Sequence, residues 1–219
     1  MIKERIVMKR IRVSLAIMLV ATMLIGVYTT AFASGSVNGI VVGKEYSATF
    51  DDGNMYLLVE VTNTNSVDTA VSMDAISIDA SGNVMETNAE DDVFILAPGD
   101  IYMLVGVFPN SASATNYDYD LFVNSKLGAY GVKAAGNDLD TKGYDAGNGN
   151  VEIYVTNTSS EAVSGEAVVV YYYKGQIVDF GESGLYNTGG ALKPSETMTA
   201  KFYTKQAYDS FEYYVAGMK

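Results

Sequence analysis

Leu57-Leu58-Val59-Glu60-Val61-Thr62-Asn63-Thr64 comes back 94 residues later as Val151-Glu152-Ile153-Tyr154-Val155-Thr156-Asn157-Thr158. In the first copy Leu57, Val59 and Val61 share one face, and Leu58, Glu60 and Thr62 the other. In the second, Val151, Ile153 and Val155 oppose Glu152, Tyr154 and Thr156. A period of two carried by β-branched residues predicts a half-buried strand. Glu60 and Glu152 then read as solvated charges on its outward face. The offset holds without a gap to Val84 and Val178. Over that span each copy runs strand, polar turn (residues 63–66 and 157–160), strand, glycine turn (Gly82 and Gly175), strand. Leu96-Ala97-Pro98-Gly99-Asp100 then answers Leu192-Lys193-Pro194-Ser195-Glu196 at an offset of 96, and the copies close on residues 119–123 and 211–215. A repeat of this length is a whole domain, since solenoid units run roughly 20–50 residues.

Working outward, residues 46–50 predict a first strand, entering an Asp51-Asp52-Gly53-Asn54 hairpin turn. Residues 69–79 predict another, whose apolar phase slips near Asp74-Ala75 as Val71 and Met73 give way to Ile76 and Ile78, the mark of a bulge. Residues 101–108 form a strongly apolar strand. Residues 124–150 combine the boundary, placed near Ser125, with the first strand of the second module, and residues 129–132 are their one short apolar stretch. Residues 167–173 (AVVVYYY) are apolar on both faces, which implies cover on both sides. No segment after the N-terminal run sustains helical periodicity. The fold class is all-β, two sandwiches in series at residues 35–125 and 126–219.

Residues 1–12 are basic, residues 13–27 are uncharged and apolar, and Ala31-Phe32-Ala33 is a small-x-small site before Ser34. That order predicts a secretory signal peptide, residues 1–33, cleaved after Ala33. The alternative is an uncleaved anchor, the one way in which the chain would contact a membrane; its 15 apolar residues fall short of the ~17 that a span needs. Beyond Ser34 the basic residues are nine lysines against 25 acids, a net charge of −16 (9 − 25). Nucleic-acid binding needs a basic stripe, and this composition excludes it. Cysteine is absent throughout, so burial must stabilise the fold without disulfides.

Val61-Thr62-Asn63-Thr64, Asp79-Ala80-Ser81-Gly82-Asn83-Val84 and Leu96-Ala97-Pro98-Gly99-Asp100, followed by an aromatic closing strand, resemble the FxLYD-type immunoglobulin-like domains of secreted Gram-positive bacterial proteins. The resemblance covers both copies. Of the name-giving motif the first copy keeps Asp79, and the second has Tyr171-Tyr172-Tyr173. The resemblance implies two tandem immunoglobulin-like β-sandwich domains, a bacterial host and an extracellular setting, secreted or at the cell surface. It implies no catalytic site.

The chain has no His and no Cys, which removes the Ser-His-Asp triad, thiol nucleophiles and His- or Cys-ligated zinc. Carboxylate pairs remain, but among 25 acids near neighbours are expected by chance, and the chain reads as a non-enzyme without cofactor. Asp138-Leu139-Asp140-Thr141-Lys142-Gly143 echoes the start of an EF-hand loop, yet Lys142 stands at its fifth position and Gly149 at its twelfth. These residues read first as an Asx- and Gly-rich turn, with a different calcium loop using Asp145, Asn148 and Asn150 as the alternative. Glu90-Asp91-Asp92 reads as a solvated acidic loop, and Asn157-Thr158-Ser159 fits the glycosylation pattern at a turn that needs such residues anyway.

All but one of the 17 tyrosines follow Ser34. Tyrosine suits protein and sugar contacts, and it is also a good strand former. Alternation along residues 167–173 is read with Tyr172 turned inward and the Tyr171/Tyr173 pair near the surface, as the contact surface for a partner. The expected function is an exported, non-catalytic structural or protein-interaction module of the cell surface. A carbohydrate-binding accessory module using exposed tyrosines is the alternative, so the expected partner is a protein or a cell-wall glycan.

Overall fold

A computed structural model describes residues 29–30, 36–89, 93–126, 131–187 and 190–219. The predicted signal segment and its cleavage point, apart from Thr29 and Thr30, lie outside the described residues, as does the Glu90-Asp91-Asp92 cluster.

The first half carries β1 (Thr29–Thr30), β2 (Ser36–Val37), β3 (Ile40–Thr49), β4 (Met55–Asn63), β5 (Thr69–Ile78), β6 (Val84–Ala89), β7 (Phe94–Leu96), β8 (Ile101–Phe108) and β9 (Asn116–Asn124). The second carries β10 (Leu139–Gly147), β11 (Asn150–Asn157), β12 (Ser164–Tyr173), β13 (Gln176–Gly184), β14 (Tyr186–Asn187), β15 (Gly190–Ala191), β16 (Thr197–Tyr203) and β17 (Ser210–Met218). All pairings are antiparallel. Among the described residues the only helical turn is the 3-10 turn Gly136–Asp138, and no helix is long and apolar enough to cross a membrane.

Each half builds two facing sheets. In the first half β3, β4 and β8 form one, with β1 and β2 at the β3 edge, and β5 with β6, β7 and β9 forms the other. In the second half β10, β11 and β16 form one sheet, and β13, β12 and β17 the other. The strand at the centre of the repeat, β4 and again β11, sits mid-sheet between the equivalent neighbours β3 and β8, or β10 and β16.

The two halves are stacked against each other through a shared core. Alternation on β4 sends Leu57, Val59 and Val61 into the first sandwich, but Leu58, on the opposite face, is also fully buried. It pairs with Tyr46 and Val105, both buried. On β12, Ala167, Val169 and Tyr171 pack inside the second sandwich, whereas Val168, Val170 and Tyr172 join one cluster with the first half's core. The β3-β4-β8 sheet therefore lies face to face on the β13-β12-β17 sheet, leaving the β5 sheet and the β11 sheet outermost. Ring contacts cross the interface, with centroids 6.1 Å apart for Tyr46–Tyr172 and 4.8 Å for Tyr56–Phe180. The connecting segment is docked too: the Ala134 amide donates to Asp68 Oδ2 at 2.9 Å, and Ala134 packs on Ala70, Ile95 and Ala97.

The repeated Asn-Thr motif makes the same bonds twice. The buried Asn63 amide donates to the carbonyls of Leu96 (2.7 Å) and Val67 (3.0 Å). Asn157 donates to those of Leu192 (2.9 Å) and Glu161 (2.7 Å). In return, Gly99 N and Ser195 N each donate 2.8 Å bonds to the backbone carbonyls of Asn63 and Asn157. The V-x-N-T and L-x-P motifs are thus two ends of one clamp, tying strand β4 or β11 to the turn before β8 or β16. That turn needs positive φ at its third residue, +88° at Gly99 and +62° at Ser195.

Two expectations are corrected. Strand β5 has no slip at Asp74-Ala75: Val71, Met73, Ala75 and Ser77 run inward in unbroken alternation. Ser77 is tolerated there because its hydroxyl meets that of Ser111 at 2.6 Å. The first strand is longer than residues 46–50, starting at Ile40. The first strand of the second half, expected within residues 124–150, is β10 at Leu139–Gly147. Its inward face carries Gly143, where an added Cβ would lie 2.7 Å from the Tyr213 ring, so that position shows no apolar signal.

Asn63→Ala should lower stability by ~1–3 kcal/mol through carbonyls left unpaired in the core, and Asn157→Ala should do likewise, read by urea unfolding. Leu58→Ala should cost ~2–5 kcal/mol as a core truncation. Its repeat partner Glu152→Ala should leave the urea midpoint nearly unchanged, because only a solvent-screened pair with Lys201 and one exposed hydrogen bond from Tyr154 are lost.

Candidate functional site

The outward face of the β10-β11-β16 sheet is built by simple alternation. Asp140, Lys142 and Tyr144 project from β10; Asn150, Glu152, Tyr154 and Thr156 from β11; Thr197, Thr199, Lys201 and Tyr203 from β16. Pairing aligns these residues in rungs, Asp140–Thr156–Thr197, Lys142–Tyr154–Thr199 and Tyr144–Glu152–Lys201, with Asn150–Tyr203 beyond. Tyr144, Tyr154 and Tyr203 are exposed, at 53%, 38% and 61%. Tyr144 and Tyr154 stand nearly perpendicular, 86° between planes and 5.5 Å between centroids. A shallow depression of about 480 Å³ is lined by Asp140, Lys142, Tyr144, Tyr154, Thr156 and Thr197.

Local bonds hold this face in shape. Lys201 Nζ lies 3.0 Å from Glu152 Oε1, and the Tyr154 hydroxyl donates to Glu152 Oε2 at 2.8 Å. These two bonds, Lys201 first, hold the Glu152 carboxyl below the usual carboxylate range, and the same carboxylate raises Tyr154 and Lys201. The hydroxyls of Thr156 and Thr197 meet at 2.7 Å.

A second concavity, about 540 Å³, opens where the halves meet. Phe50, Tyr56 and Phe180 line it, their centroids 4.8–5.7 Å apart, together with Asp51, Asp52, Asp179, Glu182, Lys205 and Gln206. Its acids are engaged by the chain itself. The Tyr56 hydroxyl bonds Asp52, Gln206 donates to Asp51 at 2.9 Å, and Thr204 donates to Asp179 at 2.6 Å. Burial raises the Asp179 pKa, and the nearby Asp51 and Asp52 charges raise it further.

The interface itself holds a charged network. Lys44 Nζ donates to Glu212 Oε1 and Oε2 at 2.7 and 2.6 Å and lies 3.9 Å from Glu60. The Tyr214 hydroxyl reaches Glu60 and Glu212, each at 2.9 Å, and the Tyr172 hydroxyl donates to Glu212 at 3.0 Å. Burial opposes charge on both Glu212 and Lys44. The Lys44 bond and the two tyrosine hydroxyls nevertheless bring Glu212 below its ordinary value, and Glu212 with Glu60 brings Lys44 above it. Burial first, and the neighbouring acids or hydroxyls after it, push Tyr172 and Tyr214 far up.

The expected Tyr171/Tyr173 surface is corrected. Tyr171 is 1% exposed and faces the second half's own core, its ring 5.0 Å from that of Tyr208. Tyr172 is 7% exposed and faces the first half, while Tyr173 is 42% exposed at the β12–β13 hairpin with Lys174 over its ring. Both faces of the strand are covered, and the first half provides the second cover. Glu60, read as a solvated charge, is instead part of the interface network. The Asp138–Asn150 stretch is mostly strand, which spreads its oxygens apart. Asp138 pairs with Lys219 at 2.5 Å, Asp140 lies 3.9 Å from Lys142, and Asp145 accepts from Tyr208 at 2.8 Å. Among the described residues no group of three or more acids could hold a metal ion. The Tyr144/Tyr154/Tyr203 face was legible only as "exposed tyrosines"; Tyr154 alternating with Glu152 and Thr156 was its one local signal.

No family model matches the chain, and no curated protein matches it. Among solved structures it is similar to red sea bream transglutaminase at 10% identity and a TM-score of 0.22; the match covers 90% of this chain and 31% of that one. A likeness this weak bears on neither fold nor activity.

The interface network sets a pH window. The lowered Glu212 pKa stabilises the fold above its ordinary value of 4.5, and this is lost as pH falls. The raised Tyr172, Tyr214 and Lys44 values stabilise below 10.0–10.5, and this is lost as pH rises through the folded values. Urea midpoints should therefore fall below about pH 5 and above about pH 10. With no tryptophan in the chain, tyrosinate absorbance reports directly. The signal from Tyr172 and Tyr214 should appear only with alkaline unfolding, and Tyr172→Phe with Tyr214→Phe should make the alkaline limb shallower, the remainder coming from Tyr117, Tyr119 and Tyr171, whose hydroxyls burial also pushes up.

Proposed function

We propose that this chain is an exported, non-catalytic interaction module of the bacterial cell surface, and that the outward face of the β10-β11-β16 sheet is its contact surface. The observation that carries this reading is a contrast between repeat-equivalent positions. Leu58 and Glu60 on β4 become Glu152 and Tyr154 on β11, 94 residues on. In the first half this face is buried against the second half. In the second half the apolar Leu58 gives way to a charge, as solvent requires, yet a tyrosine is placed beside it. A large ring on an otherwise solvated face costs nothing in the fold and supplies contact area with a polar tip.

Export is supported by the basic-apolar-small order of residues 1–33, and a bacterial surface setting by the resemblance to FxLYD-type domains. The lack of His and Cys removes most nucleophilic and metal chemistry from consideration. The stacked sheets hold the tyrosine face on rigid strands, as a binding surface requires.

Secreted material should begin at Ser34 on N-terminal sequencing; an intact Met1 on membrane-bound protein would make it an anchored protein instead. The secreted protein, fluorescently labelled, should bind envelopes of the producing cells. Failure to bind any envelope fraction would overturn the interaction reading.

A further inference from the structure

We propose that the Tyr144/Tyr154/Tyr203 face binds an extended, uncharged polysaccharide; this rests on the interaction reading above. Charge comes first. Two ion pairs, Asp140–Lys142 and Glu152–Lys201, balance to zero on this face. The chain beyond Ser34 carries a net charge of −16 (nine lysines, 25 acids), and two of those lysines are spent here. A face whose charges cancel on a strongly acidic protein offers neither the net negative field that draws a basic partner nor the cationic patch that an anionic one needs.

Ring geometry comes second. Tyr144 and Tyr154 meet edge to face and together wall one side of the depression. The C–H-rich face of a pyranose packs on such a wall while its equatorial hydroxyls project sideways. Hydrogen-bonding groups stand beside the rings: Asp140, Lys142, Thr156 and Thr197 line the same depression. The Tyr154 ring is held by its bond to Glu152, so little rotamer freedom is lost on binding.

Extent comes third. Tyr203 lies on the Asn150 rung, four residues along β11 from Tyr154, a separation of ~13 Å. A ligand touching all three rings is a chain of several sugars. A protein partner would favour a desolvated apolar centre with a polar rim; here Lys142 and Thr199 flank Tyr154, and the Glu152–Lys201 ion pair shares the rung of Tyr144.

The test is native affinity electrophoresis of the secreted protein through gels containing hydroxyethyl cellulose, a neutral xylan or, as the anionic control, polygalacturonate. Retardation is expected in at least one neutral gel and not in polygalacturonate. Tyr144→Ala with Tyr154→Ala should weaken it at least about tenfold, as loss of central aromatic anchors does, with the fold retained and only a small fall in melting temperature, because both rings lie outside the cores. Tyr154→Phe should retain most binding, and Tyr173→Ala, an exposed tyrosine elsewhere, should leave it intact. No retardation in any neutral gel, or retardation indifferent to the double variant, overturns the proposal. Envelopes stripped of protein by protease separate the two readings. Binding retained after stripping supports the glycan. Binding lost after stripping refutes the glycan and leaves a protein-interaction module, and no binding before or after refutes both.

Discussion

A β-sheet that is apolar on both faces must be covered twice, and this chain contains two such sheets. Strands β4 and β8 carry Leu58, Met103 and Val105 on the face turned away from their own sandwich; β12 carries Val168, Val170 and Tyr172 on its equivalent. At ~25 cal/mol per Å² neither surface could stay in water without large cost. Each sheet covers the other. The relative placement of the halves follows from that burial, and so do the docked connecting segment and the cleft at the seam.

Polar groups in that seam give it register. Lys44 and Glu60 from one half meet Tyr172, Glu212 and Tyr214 from the other, with every named oxygen and the ammonium engaged. Such a network adds little net stability against a well-packed apolar alternative, but a sliding error would leave charges unpaired. Hydrophobic contact brings the sheets together, and the network favours the alignment in which its charges and hydroxyls meet.

Duplication supplied two copies of one sandwich, and divergence assigned their faces. The Asn63 and Asn157 clamps stayed the same because each closes its own sandwich. The outer positions changed. Val168 on the buried face of β12 corresponds to Asp74 on β5, and Asp118 and Asp120 beside it on β9 make that outermost face acidic. Those acids share the outer face of the first half with the exposed Phe122, and the three tyrosines occupy the outer face of the second half.

Much of this was written locally. The period-two pattern of residues 57–64 and its return at 151–158 determined strand, repeat and class, because alternation and turn chemistry act between neighbours in sequence. The double-faced apolar run at 167–173 even announced that a second cover was needed. Local pattern has no access to which face meets which partner: Tyr171 and Tyr172 are chemically identical, and only packing of the whole first half against β12 sends one to each core. The same limit hid Glu60, whose solvated reading is correct for an isolated sandwich. It also left the bounds of β10 open within residues 124–150, because the inward Gly143 leaves room for the Tyr213 ring and carries no apolar signal. Strand identity is a property of residues two apart, whereas burial is a property of surfaces brought together from halves 94 residues apart, and that only the tertiary structure decided.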